Sequence, residues 1–202
     1  MVFLPGAGDT AEDYAEHGFV AELRRARIRA DVASVDATQH YYRRGDVMQR
    51  LRDDVLQPAR ERYETLWLVG ISMGGGGALR FAADHPGLVD GVTVIAPFMG
   101  SRAWMRRIRG LGGASHLELS EAERANAYGR AWHWVGHREA PLYVAWGAED
   151  FLRDVAETMA LELPASHVIR GGGGHAWVAW RDLWKGFIRG GALQRACGAP
   201  RA

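Results

Sequence analysis

The chain has 202 residues, 48% hydrophobic and 24% charged, with 25 basic against 24 acidic side chains and a formal charge of +1. That length builds a buried core without staples, and the even charge argues against an obligate nucleic-acid binder, which carries a basic excess. A single cysteine, Cys197, excludes a disulfide framework and a cysteine-based zinc site. No cluster has metal-ligand spacing and no dinucleotide fingerprint occurs, so neither metal nor cofactor is expected. The start, Met1-Val2-Phe3-Leu4-Pro5-Gly6, lacks the basic region of a secretory signal, and the expected location is cytoplasmic. The uncharged run over 65–79 is 15 residues long and holds five glycines. It is too short and too broken for stable membrane insertion. Nothing in the sequence speaks to oligomeric state.

Short apolar runs alternate with longer amphipathic stretches, the pattern of an α/β domain with a parallel sheet. Residues 2–4 form a first strand that ends at Pro5-Gly6-Ala7-Gly8, after which Asp9 and Thr10 are placed to cap a helix running to about 28. A second strand is expected at 31–35. A helix follows over 43–63, with Val47, Leu51, Val55 and Leu56 at helical spacing. Leu66-Trp67-Leu68-Val69 is a continuous apolar run, as for a central strand buried on both faces. It leads into Gly70-Ile71-Ser72-Met73-Gly74 and a helix that Pro86-Gly87 stops near residue 85. Residues 92–95 make a fourth strand.

From about 100 to 140 the pattern turns helical, with helices near 102–109 and 121–135. Ser120 and Glu123 supply a capping box for the second. The strand pattern returns at 142–146, then a helix at 151–161, a short strand at 166–169 and a terminal helix from about 175. Cys197 falls in a tail-like segment with Gly198-Ala199-Pro200 and reads as inert. No repeat or linker interrupts the chain, so residues 1–202 read as one domain with a helical insertion.

The segment 70–74 matches G-x-S-x-G, set between a buried strand and a helix. A serine in that turn is exposed on a strained backbone above the sheet edge, and side chains two residues to either side would collide. Glycine is needed at both flanks. The plain alternative is a glycine-rich turn with a bystander serine; a phosphate-cradling loop lacks its Lys-Ser/Thr ending.

On these residues the chain resembles the α/β-hydrolase superfamily over nearly its whole length, and among its members the small carboxylesterase-like serine hydrolases. The resemblance implies the chain order nucleophile, acid, histidine. Ser72 is the nucleophile. Gly147-Ala148-Glu149-Asp150 looks like the family's G-x-x-D turn and points to Asp150, with Glu149 and Asp154 as rival acids. Gly171-Gly172-Gly173-Gly174-His175 points to His175. Oxyanion donors would be the backbone N–H groups of Met73 and of Ala7, where this chain has Leu4-Pro5-Gly6-Ala7-Gly8 against the family's His-Gly-x. The implied fold is a trimmed, mostly parallel sheet of about six strands in spatial order 2-1-3-4-5-6, flanked by helices. The 100–140 insertion occupies the place of a lid.

Phe98, Met99, Trp104 and Trp177 are candidate pocket residues, since apolar lining suits an acyl or aryl group; each is equally able to be plain packing. Arg102, Arg106, Arg107 and Arg109 form a basic cluster that is a solvated face, an anchor for acyl-CoA or a weak membrane contact. The expected activity is cleavage of small-molecule carboxylic esters through an acyl-enzyme. The alternatives are an acyl thioesterase and a non-catalytic ligand-binding protein on the same fold.

Overall fold

The structure is a computed structural model and describes residues 1–197; of the tail-like segment read above, Gly198 to Pro200 lie outside the described residues. In chain order the elements are β1 (Val2–Leu4), α1 (Asp13–Glu16), α2 (Phe19–Arg25), β2 (Ala33–Ser34), α3 (Gln39–Arg44) and α4 (Val47–Arg50). A π-helical turn (Leu51–Leu56) runs from α4 into α5 (Gln57–Arg60), and β3 (Trp67–Ile71), α6 (Met73–Asp84) and β4 (Gly91–Ile95) follow. Next come α7 (Arg102–Leu111), α8 (Glu121–Arg124), α9 (Ala127–His137), β5 (Leu142–Gly147), α10 (Arg153–Ala160), β6 (Val168–Gly171), α11 (Trp177–Arg189) and α12 (Ala192–Ala196). The six strands make one sheet in the order β2-β1-β3-β4-β5-β6, every pair parallel. That is the order expected from the sequence. Among the described residues no helix is long and apolar enough to cross a membrane.

Strand side chains alternate between two cores, as a pleat of period two requires. Val2, Leu4, Leu68, Val92, Val94 and Val144 join one cluster with residues of α4, α6, α9 and α10. Phe3, Trp67, Val69, Ile71, Tyr143 and Ala145 join the other, with α2, α11 and α12. The second face is rich in aromatic contacts. Phe3 stacks on Tyr14 with centroids 4.5 Å apart, Phe19 stacks on Trp184 at 5.4 Å, and the Trp184 indole N–H donates to the Phe19 carbonyl at 3.1 Å. Each such ring contributes about 1.5–3 kcal/mol by burial.

Where the elements differ from expectation, local chemistry gives the reason. The first helix is two, because Gly18 takes φ 84° and turns the chain between α1 and α2. Asp9 does not cap it; Asp13 accepts the Thr10 backbone N–H at 2.7 Å instead. The 43–63 helix opens into π geometry directly before Pro58, which has no N–H to give to an α-helical acceptor. In the insertion, Asn126 breaks the second helix by accepting from the Tyr128 and Gly129 N–H groups, starting α9 afresh. The capping box at Ser120 and Glu123 forms as expected. A 3-10 turn at Ala165–His167 pushes the last strand on to Val168–Gly171, and the terminal helix begins at Trp177, leaving His175 in the loop. Cys197 is partly buried and packs against the second core.

The backbones at the β3–α6 crossing approach closely. A Cβ on Gly70 would collide with the backbone of Gly74 and Gly75, and one on Gly74 with the carbonyls of Leu4 and Pro5. Gly110, on α7, has nothing within 4 Å of such an atom. Gly74→Ala should therefore destabilise the fold by at least about 1–3 kcal/mol through overpacking. Gly110→Ala should stabilise it by about 0.5–1 kcal/mol. Urea unfolding of both variants measures the difference; equal effects would contradict the close approach.

Candidate active site

All strands being parallel, their carboxyl ends lie along one edge of the sheet, and the connections leaving them share that edge. Ser72, directly after β3, has φ 52° and ψ −116°, a conformation that costs a non-glycine residue about 1–3 kcal/mol. Three hydrogen bonds hold it there. Its N–H donates to the Ile95 carbonyl at 3.0 Å, and its carbonyl accepts from Phe98 at 2.9 Å and Gly76 at 3.1 Å.

The loop after β6 brings His175 to the serine, with Nε2 2.9 Å from Ser72 Oγ. The glycine run rests on the turn after β5, where Gly171 and Gly173 carbonyls accept the N–H groups of Ala148 and Glu149 at 2.9 and 3.2 Å. Gly173 has φ 88°, which fixes that path to glycine. Asp150 is 2% exposed, and its two oxygens lie 3.0 and 2.9 Å from His175 Nδ1. It also accepts the Leu152 N–H at 2.8 Å. The rival acids, Glu149 and Asp154, are exposed. The sequence-derived trio of Ser72, His175 and Asp150 thus lies within one chain of hydrogen bonds.

Met73 opens α6, so its N–H has no helical acceptor and sits at the positive end of the helix. Ala7 is exposed on the loop after β1, where a turn closes through the Asp9 N–H and Gly6 carbonyl at 3.3 Å. Among the described residues neither N–H has a protein acceptor.

The four pocket candidates have different surroundings. Phe98 is 39% exposed beside the serine, and its ring meets Tyr128 edge-on at 5.8 Å. Met99 is buried in the core, and its carbonyl accepts from Trp132 at 3.2 Å. Trp104 is partly buried between Gly129 and the Arg107 guanidinium, 5.8 Å from its ring. Trp177 donates its indole N–H to Asp9 Oδ1 at 3.2 Å and is stacked on His17 at 4.6 Å. Of the insertion's arginines, Arg107 is taken by Glu123 and the Glu118 carbonyl. Arg109 is taken by Thr158, the Asp154 carbonyl and Glu157.

Three further residues stand beside the trio. Phe151 and Trp180 flank the His175 ring at 4.4 and 4.8 Å. Asp9 lies on the loop that carries Ala7. A Cβ on Gly6 would stand 2.5 Å from Asp9 Oδ2 and 3.5 Å from Ser72 Cβ, so the carboxylate is close to the serine. Burial pushes its pKa above the ordinary value, Asp13 adds to that, and the Trp177 and Gly6 N–H groups oppose it.

With this geometry in view, the chain matches the family described as "Putative esterase" over residues 1–185 and belongs to that Esterase family. Its fold is that of the α/β-hydrolases. A variant of DbjA superposes with a TM-score of 0.65 at 17% identity, over 96% of this chain and 90% of that one. The S-formylglutathione hydrolase FrmB of Staphylococcus aureus gives 0.60 at 15% identity, over 93% and 78%. A ferulic acid esterase gives 0.59 at 17% identity, over 98% and 84%. No curated protein matches the chain by sequence.

The Asp9 environment has a measurable consequence. A carboxyl whose pKa is raised in the fold favours folding when protonated, and that contribution is lost as pH rises through the folded value. Asp9→Asn removes the titration. Its melting temperature relative to the parent protein should therefore rise between about pH 4 and about pH 7. A difference that is constant or falls with pH would contradict the assigned burial.

Proposed function

We propose that this member of the Esterase family hydrolyses small carboxylic esters through an acyl-enzyme on Ser72. The observation that carries the reading is the bridge of His175 between Ser72 Oγ at 2.9 Å and the buried Asp150 at 2.9 Å. His175 Nε2 takes the hydroxyl proton as Ser72 Oγ attacks the ester carbonyl. Asp150 fixes the tautomer by accepting at Nδ1 and stabilises the imidazolium. The carbonyl oxygen becomes an oxyanion, met by the N–H groups of Met73 and Ala7; losing one such donor costs about 2.7–4 kcal/mol. Collapse breaks the ester C–O bond, and His175 returns the proton to the departing alkoxide. Water then repeats the sequence on the acyl-serine, releasing the acid and restoring Ser72.

The strained serine supports the same reading. A serine held at φ 52° and ψ −116° between a strand end and a helix start fits a nucleophile at the tip of an elbow. A thioester substrate would use the same machinery, but Arg107 and Arg109, two of the four cations expected to greet an acyl-CoA phosphate, are engaged by the protein itself.

Turnover of a p-nitrophenyl ester by four variants tests the roles. Ser72→Ala should be inactive at an unchanged melting temperature. Asp150→Asn should lose about 10⁴ in turnover, the scale seen when an aspartate is removed from a comparable triad. Glu149→Gln and Asp154→Asn should stay within about tenfold, since neither carboxylate meets the imidazole. A near-normal Ser72→Ala, or an inactive Glu149→Gln or Asp154→Asn, would overturn the assignment.

A further inference from the structure

Helix α6 is almost wholly apolar or glycine, and Arg80 is its one basic residue. The natural partner one turn on, Asp84, is already occupied by Arg130, at 2.6 and 3.1 Å from its two oxygens. Among the described residues Arg80 has no carboxylate partner and no hydrogen-bond acceptor, and its Nε is closed to solvent. Its guanidinium carbon lies 5.5 Å over the Tyr128 ring. Opposite, on α3, the Tyr42 hydroxyl rests against Gly77, where a Cβ would collide with it. That hydroxyl is also shut from solvent and has no hydrogen-bond partner among the described residues. Burial pushes its pKa up, against the pull of the Arg80 charge, so it stays a proton donor.

Buried donors without acceptors are rare in folded proteins. Here two stand three residues apart along one helix face, Tyr42 over Gly77 and Arg80 itself. One oxyanionic acceptor satisfies both. The place is joined to the serine, because Tyr128 packs on Phe98, whose N–H donates to the Ser72 carbonyl. Arg80 lies eight residues beyond Ser72, about 12 Å of helix rise, and helical side chains slant back toward the N-terminus.

We infer that Arg80 and Tyr42 form an anion subsite for a carboxylate at the far end of the substrate's acyl group, which makes the preferred substrates monoesters of dicarboxylic acids. The inference rests on Ser72 as nucleophile and adds the substrate class. The helix rise, less the backward reach of the Arg80 side chain, points to an acyl group of about four to six carbons counting both carboxyl carbons. The cation of this subsite is on the elbow helix.

The test compares p-nitrophenyl glutarate, as its free-acid monoester, with p-nitrophenyl butyrate. The parent protein should favour the glutarate monoester in kcat/KM. Arg80→Gln should lower kcat/KM for it at least about tenfold, chiefly through KM, by loss of a charge-assisted contact. Butyrate turnover should stay within about twofold, since a neutral chain makes no such contact. Tyr42→Phe removes only the hydroxyl and should shift the same preference in the same direction, whatever Arg80→Gln does to folding. Calorimetric titration of glutarate into Ser72→Ala reads binding without chemistry, and that binding should vanish in Ser72→Ala/Arg80→Gln. Parallel losses on both esters, or glutarate binding that is absent or indifferent to Arg80, would overturn the subsite while Ser72-dependent butyrate turnover still stands. Arg80-dependent glutarate binding together with ester turnover that survives Ser72→Ala would keep the subsite and remove the nucleophile assignment.

Discussion

The site depends on how closely α6 approaches the ends of β1 and β3. Gly70 and Gly74 leave no room for a Cβ between the crossing backbones. That contact sets the start of the helix directly over the strand end, so the residue between them must take a positive φ. The strain at Ser72 is then borne by three backbone hydrogen bonds to β4 and its loop and to α6. A longer crossing would relax the serine and lower its hydroxyl toward the sheet. It would also move the Met73 N–H away from the serine's side of the helix end.

The second constraint is electrostatic. Asp150 is a carboxylate at 2% exposure, and burying such a charge is costly unless hydrogen bonds replace water. The Leu152 N–H supplies one bond and the His175 ring the other. The imidazole is thus held from one side by the acid and from the other by Ser72. Trp177, two residues after His175, ties the start of α11 to Asp9 on the Ala7 loop. The loops after β1, β5 and β6 are in this way fixed to each other, which is what a preorganised oxyanion site requires.

The sheet was legible because its strands are continuous apolar runs, and the alternation of βα units leaves few ways to order them. Ser72, Asp150 and His175 stood at motif positions, so their meeting was foreseeable from spacing and resemblance. What the sequence hid were long-range pairings between residues of ordinary type. Asp9 looked like a helix cap, but its acceptor is filled by an indole 168 residues away. Tyr42 and Arg80 lie in unremarkable helical stretches and become notable only because, among the described residues, neither the hydroxyl nor Nε finds a hydrogen-bond partner. Helix breaks were missed where one residue outweighs periodicity, as Gly18, Pro58 and Asn126 each do. The four arginines of 102–109 drew attention as a cluster, yet Arg107 is bonded within the insertion and Arg109 ties it to α10.

The central claim is that Ser72 attacks a carbonyl whose oxygen turns toward the Ala7 and Met73 N–H groups. A crystal structure of the protein after reaction with a fluorophosphonate tests it most directly, because the phosphonyl oxygen stands where the oxyanion would. The account predicts one adduct, on Ser72 Oγ, with that oxygen about 2.7–3.1 Å from both backbone nitrogens. An adduct on another residue, or a phosphonyl oxygen turned away from both donors, would contradict it.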